Sequence, residues 1–223
     1  MGGVLELVLA DARTPSGGHA HSGGLEAAID AGLSADEVPG FIRARLRTVG
    51  RCEAALAFRA ALSSTLDELL ALDLEAAARM PAEPLRRASR QLGRGLLRTA
   101  STWWPEDELL TGYRAASEVT PRPVALGAIA RAGGLSPSEA ARLSLYDDAA
   151  TVAAAAVKLL PLDAAVASGW LVELADEVDA LAFAGASAEL EAAWGGWAPS
   201  TSTPLLDRRA LTHARGERRL FAS

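Results

Sequence analysis

The sequence predicts an all-α fold, a single compact helical domain of roughly ten helices followed by a C-terminal tail. Apolar residues recur three or four positions apart along most of the 223 residues, which is the spacing of a helix with one buried face. The alternation of β-branched residues that marks strands is nearly absent. Most prolines fall between the periodic segments, where a helix tolerates them.

The periodicity predicts helices near residues 4–11, 22–31, 35–62, 65–79, 84–102, 106–117, 122–132, 137–160, 163–184 and 187–194. Ser34 with Glu37, and Ser136 with Glu139, have the spacing of capping boxes at helix starts. The Gly133-Gly134 pair is typical of a helix end.

We place the domain at residues 1–194 and the tail at 195–223, because Gly195, Gly196 and Pro199 suggest a hinge. The tail is rich in arginine and also carries apolar residues, which a purely solvating segment does not need. We expect it to order on a partner; the alternative is a frayed terminus.

Composition favours a cytoplasmic protein that binds neither nucleic acid nor membrane. The net charge is −6 and the pI about 5.2, whereas nucleic-acid binders carry a basic surface. The single cysteine, Cys52, allows no intramolecular disulfide and fits a reducing compartment. No stretch approaches the about 20 apolar residues of a membrane span, and the opening residues lack the positive region of a signal peptide.

The stretch PSGGHAHSGGLEAAI, Pro15 to Ile29, is the strongest candidate motif. It is not a phosphate-binding P-loop, because it has no lysine and no preceding strand. It is not a nucleophile elbow, because Ser22 lacks the flanking glycine spacing. His19 and His21 are weak candidates for nickel or zinc, but the only other histidine, His213, lies in the tail. We therefore expect no cofactor and no catalytic residue.

A structural role for this stretch agrees better with its residue types. Pro15, Gly17 and Gly18 predict a tight turn, and Ser22 is placed to be a helix N-cap. Gly24, like its neighbour Gly23, allows another part of the chain to approach closely. We interpret the stretch as a junction shaped for docking.

Four segments together resemble the urease accessory protein F family. The opening stretch matches the family motif at Pro15, Gly17, His21, Ser22, Gly24, Leu25 and Glu26. Residues 89–101 resemble its Gly-Arg-x-Leu-Leu helix, and 135–163 resemble its long helix with a central tyrosine. The tail resembles the family ending at Pro204, Asp207, His213, Arg219, Leu220, Phe221 and Ser223. His19 departs from the family pattern, which usually has an aromatic residue there.

The resemblance implies a non-enzymatic, all-α homodimer that acts as a chaperone for nickel insertion into the urease apoenzyme. It implies binding to urease accessory protein D or H, mainly through the tail, and recruitment of the nickel-carrying accessory GTPase G, whose activation it gates. The partner-binding residues that we predict on this basis are Glu26, Arg142, Tyr146, Lys158, Asp207, Arg208, Arg209, His213, Arg219, Leu220 and Phe221. Arg142 and Tyr146 stand four apart and so share one helix face.

Two other function classes stay open at this point. One is a small metal-dependent hydrolase that uses His19, His21 and an acid such as Asp147 or Asp148. The other is a helical DNA-binding regulator, which the acidic pI disfavours.

Overall fold

The structure is a computed structural model, and it describes residues 2–11, 14, 20–185, 203–214 and 220–221. Every structural statement below concerns these residues. Several predictions fall outside them: the helix at 187–194, the hinge at 195–199, and the residues Pro15, Gly17, Gly18, His19 and Arg219.

The described residues form helices and connecting turns without a β-strand, so the all-α prediction is confirmed. The helices are α1 (Gly2–Ala10), α2 (Leu25–Asp30), α3 (Val38–Arg45), α4 (Arg51–Leu62), α5 (Leu66–Ala78), α6 (Glu83–Trp103), α7 (Glu108–Ala116), α8 (Arg122–Ala132), α9 (Pro137–Leu159), α10 (Ala164–Glu173), α11 (Ala175–Gly185) and α12 (Pro204–His213). None of these helices combines the length and apolarity that crossing a bilayer requires.

The helix pattern differs from the prediction in three main places. The segment 35–62 is continuous but contains a 3-10 turn, Ala35–Glu37, and a π-helical turn, Leu46–Gly50, between α3 and α4. The predicted helix 163–184 divides at Leu174 into α10 and α11. Helix α12 was not predicted, because the segment before it has the composition of a flexible tail.

The predicted capping boxes are confirmed. Glu139 Oε2 accepts the backbone N–H of Ser136 at 2.6 Å, and Ser136 Oγ accepts the N–H of Glu139 at 3.3 Å. Ser34 and Glu37 form the same reciprocal pair at the 3-10 turn. The hydrogen bonds from the backbone and side chain of Ser34 lower the pKa of Glu37. These caps satisfy N–H groups that a helix start leaves unpaired.

Two hydrophobic clusters make up the core, and α4 contributes to both. One cluster joins α4 and α8 with parts of α5, α6 and α7, and the other joins α9 with α3, α10 and α11. Small residues let the central helices approach closely. A Cβ at Gly127 of α8 would clash with the carbonyl oxygen of Ala57 and lie 2.6 Å from Ala60 Cβ in α4. The core therefore fixes α4, α8 and α9 as a rigid base for the surfaces described next.

Candidate functional site

The opening motif and the C-terminal segment meet at one place on the surface. Helix α12 packs against α2 and α6, and its Leu206 and Ala210 are buried there. Gly24 adopts φ 83°, and a Cβ at this position would lie 2.6 Å from Leu206 Cδ1. Gly23 has φ 62°, and a Cβ at this position would lie 2.9 Å from Val152 Cγ2 in α9. The two glycines therefore form a notch that only a residue without a side chain leaves open.

Glu26 holds the end of the tail through its carboxylate. Glu26 Oε1 accepts the backbone N–H of Leu220 at 2.5 Å, and Oε2 accepts that of Phe221 at 2.9 Å. The Phe221 side chain is 4% exposed and belongs to the second core cluster, with Lys158 Nζ 5.3 Å from its ring centroid. His213 Nε2 lies 3.4 Å from Glu26 Oε2. We call the set Gly24, Glu26, Lys158, Leu206, His213 and Phe221 the tail dock.

Ser22 lies two residues before the N-cap position of α2. Helix α2 begins at Leu25, and its N-cap is Gly24 in the left-handed conformation. Ser22 is fully buried, and its Oγ accepts the backbone N–H of Glu26 at 3.4 Å. Ser22 therefore satisfies a backbone N–H in the first turn of α2 and helps to place Glu26.

A cavity of about 260 Å³ lies between the opening motif, the tail and α9, and its lining includes His21, Cys52 and Asp207. Arg45 reaches it from α3: its Nη1 donates to the carbonyl oxygen of Gly23 at 2.7 Å, and its Nε donates to Asp148 Oδ2 at 3.2 Å. These contacts tie the opening motif to the central helix α9.

A buried arginine, Arg122, also lines this cavity. Arg122 Nη1 donates to Glu53 Oε2 at 3.0 Å, and Arg122 Nη2 donates to Asp147. Burial raises the pKa of Glu53, and the Arg122 guanidinium opposes that shift. Burial also raises the pKa of the Cys52 thiol to about 12, which keeps it protonated and unreactive near neutral pH.

The residues of the hydrolase hypothesis are not assembled as a metal site in the part of the chain that is described. That part contains no group of three or more His, Cys, Asp and Glu residues that could hold a metal ion. Asp147 and Asp148 are ion-paired with Arg122 and Arg45, and His21 is buried in the cavity wall. His19 lies outside the described residues.

Arg142 and Tyr146 lie on a different face, in a groove of about 690 Å³ formed by α1, α9, α10 and α11. Arg142 Nε and Nη2 donate to the two carboxylate oxygens of Glu6 at 2.8 and 2.9 Å. Tyr146 is 38% exposed, and around it Leu7 and Val172 are more than 70% exposed. Exposed apolar groups at this density are typical of a protein-binding surface.

The structure therefore divides the predicted partner-binding residues into two groups. Lys158, His213, Leu220 and Phe221 gather around Glu26, which is buried and engaged by its own chain. Among the remaining tail residues, Arg208 is exposed, and Asp207 lines the cavity with its pKa raised by burial. Arg209 Nε is buried without a hydrogen-bond partner among the described residues. Contacts with a partner stay a prediction for all of them.

Neither the docking role of Leu206 nor the pairing of Arg45 with Asp148 was predicted from the sequence, which named Asp148 only as a candidate acid of the hydrolase hypothesis. The four-residue spacing of Leu206 and Ala210 could have indicated the buried face of α12. No local signal pairs Arg45 with Asp148, which are 103 positions apart.

Comparison with known proteins decides the family. The family model described as UreF matches residues 33–175, which run from just before α3 to the start of α11. A urease accessory protein UreF from Mycobacterium sp. (strain JLS) is 39% identical over 223 residues, covering 97% of each chain. The chain belongs to the UreF family. Proteins of the same name from Mycolicibacterium vanbaalenii and Mycobacterium bovis are 39% and 37% identical, again over 97% of each chain.

Membership in the UreF family gives the chain a role in urease maturation. The family model covers the rigid base formed by α4, α8 and α9, whereas the opening motif and α12 lie outside the matched span. The UreF relatives, however, align with 97% of the chain, so their similarity extends into the tail dock.

Proposed function

We propose that this UreF-family chain is a non-catalytic scaffold for nickel insertion into apo-urease. It binds accessory protein D or H through the tail, and the resulting assembly recruits the nickel-carrying GTPase G and gates its activity. The observation that carries this proposal is the tail dock: helix α12 and Phe221 are held on the domain through the Leu206 notch and the Glu26 carboxylate.

The composition of α12 supports a role in binding as well as in packing. Its Leu206 and Ala210 face the domain, whereas Leu205, Arg208 and Leu211 are exposed. Exposed apolar side chains beside an arginine suit a protein interface, whose buried centre is apolar and which is enriched in arginine. A partner can therefore bind the outer face of α12 while the inner face stays docked.

The test is co-purification of the chain with accessory protein D or H. Removal of residues 203–223 is expected to abolish binding but to keep the helical circular dichroism and cooperative unfolding, because both core clusters depend almost wholly on residues before 186. Equal binding by the full-length and shortened chains would contradict the proposal.

We infer that the groove with Arg142 and Tyr146 contributes to the homodimer and to recruitment of the GTPase. The exposed Leu7, Tyr146 and Val172 support this, because burying them against a second surface removes apolar area from water. The double variant Arg142→Ala, Tyr146→Asp is expected to reduce dimer formation or GTPase recruitment without loss of helicity. The molar mass from light scattering and a pull-down with GTPase G measure the two effects, and no change in either would discard the assignment.

A further inference from the structure

Helix α6 carries an unusual charge for this chain. It contains five arginines and one glutamate, a net of +4, in a chain whose total is −6, so the rest of the protein carries −10. We call Arg87, Arg90, Arg94 and Arg98 the arginine row.

The row lies along the solvent side of α6. Arg87, Arg94 and Arg98 are exposed and Arg90 is half-buried, whereas Gly93, Leu96, Leu97 and Ala100 are buried on the other side. From Arg87 to Arg98 the rise of an α-helix gives a straight row about 16 Å long.

The arginine row differs from many other arginines of the chain in having few carboxylate partners. Eight arginines outside the row have a carboxylate within 4 Å: Arg43, Arg45, Arg47, Arg59, Arg79, Arg122, Arg131 and Arg142. Within the row, only Arg87 has such a partner in the described chain, Glu83, and both side chains are more than half exposed.

Arg94 and Arg98 are exposed and have no carboxylate partner among the described residues. Arg94 donates one N–H to the backbone oxygen of Glu118 at 3.2 Å. Arg90 Nε is buried and has no hydrogen-bond partner among the described residues. Guanidinium groups with unused donors at helical spacing match a surface that presents several carboxylates.

We propose that the arginine row is a second docking surface, and that it binds an acidic face of the same protein that takes the tail. This inference rests on the proposed function. It is supported by position, because α12, the helix of the tail, packs directly against α6. A protein partner fits better than nucleic acid, because the −10 on the rest of the chain repels an extended polyanion.

The test compares the affinity of accessory protein D or H for the full-length chain and for Arg94→Glu/Arg98→Glu, by biolayer interferometry at 50 and 300 mM NaCl. We expect the double variant to bind at least tenfold more weakly at low salt, with a smaller difference at high salt because exposed charges are screened. The control compares two single variants with the same change of charge, Arg98→Glu in the row and Arg114→Glu outside it. Arg114 is an exposed arginine on α7. Arg114→Glu should bind within twofold of the unchanged chain.

Several results would overturn the inference: wild-type affinity in the double variant, an equal loss in Arg114→Glu, or a loss that does not depend on salt. A duplex DNA probe that binds the chain and is lost in the double variant, with affinity for the accessory protein unchanged, would also overturn it. The shortened chain without residues 203–223 separates the two proposals. If the shortened chain binds with unchanged affinity, the proposed function fails. If the shortened chain loses binding but the arginine variants keep it, the proposed function stands and the inference alone fails.

Discussion

The role of Glu26 in holding the tail can be tested by the substitution Glu26→Ala. The change removes a carboxylate that accepts two backbone N–H groups, from Leu220 and from the buried Phe221. A hydrogen bond to a charged group contributes about 1.5–3 kcal/mol. Because Leu220 is largely exposed, we take the lower value for each bond, about 3 kcal/mol in total. This corresponds to a loss of about a hundredfold in the docking equilibrium of the tail.

Hydrogen exchange measured by mass spectrometry reports this equilibrium directly. Protection of peptides from 203–214 should fall by about a hundredfold, whereas peptides from α4 and α8 should keep theirs, because the opening is local. The matched control is Glu173→Ala, which removes an exposed carboxylate at the end of α10. If exchange in α12 is the same in the chain with and without Glu26, the carboxylate does not hold the tail.

Three further predictions concern the base on which the tail dock is built. Gly127→Ala should lower the free energy of unfolding by about 3 kcal/mol in urea titrations, because the new methyl group meets backbone, whereas Gly112→Ala on α7, with open space around it, should not destabilise. Asp148→Ala should cost about 3 kcal/mol in the same assay, because it leaves the largely buried Arg45 without its carboxylate; a loss below 1 kcal/mol would mean that water replaces the partner. Cys52, with a pKa raised to about 12, should resist a thiol reagent at pH 8 in the folded chain and react in urea, and rapid labelling of the native protein would show that the burial is wrong.

The helices that the sequence predicts well are those with strong local signals. Ser136 and Glu139 define the start of α9, and Gly133 with Gly134 ends α8, through contacts between residues three or four apart. The π-helical turn at Leu46–Gly50 was missed because one extra residue per turn does not interrupt the apolar spacing enough to be noticed.

The site was less predictable because it is made by contacts between distant residues. The opening motif identified Gly24 and Glu26 as special, but their partners Leu206 and Phe221 lie more than 180 positions away. The same holds for Arg45 and Asp148, whose side chains are brought together by the packing of α3 on α9. Helix α12 was missed for another reason: tertiary contacts with α2 and α6 stabilise a segment whose neighbouring composition indicates a flexible tail.

The central claim, that the chain is a scaffold required for nickel insertion, is tested most directly by the nickel content of urease made with and without it. Urease and its other accessory proteins would be co-expressed in a host without a urease system of its own, and nickel per active site measured together with urea hydrolysis. The account predicts almost nickel-free, inactive urease without the chain, restored by the full-length chain and not by the chain that lacks residues 203–223. Fully nickel-loaded urease in the absence of the chain would contradict it.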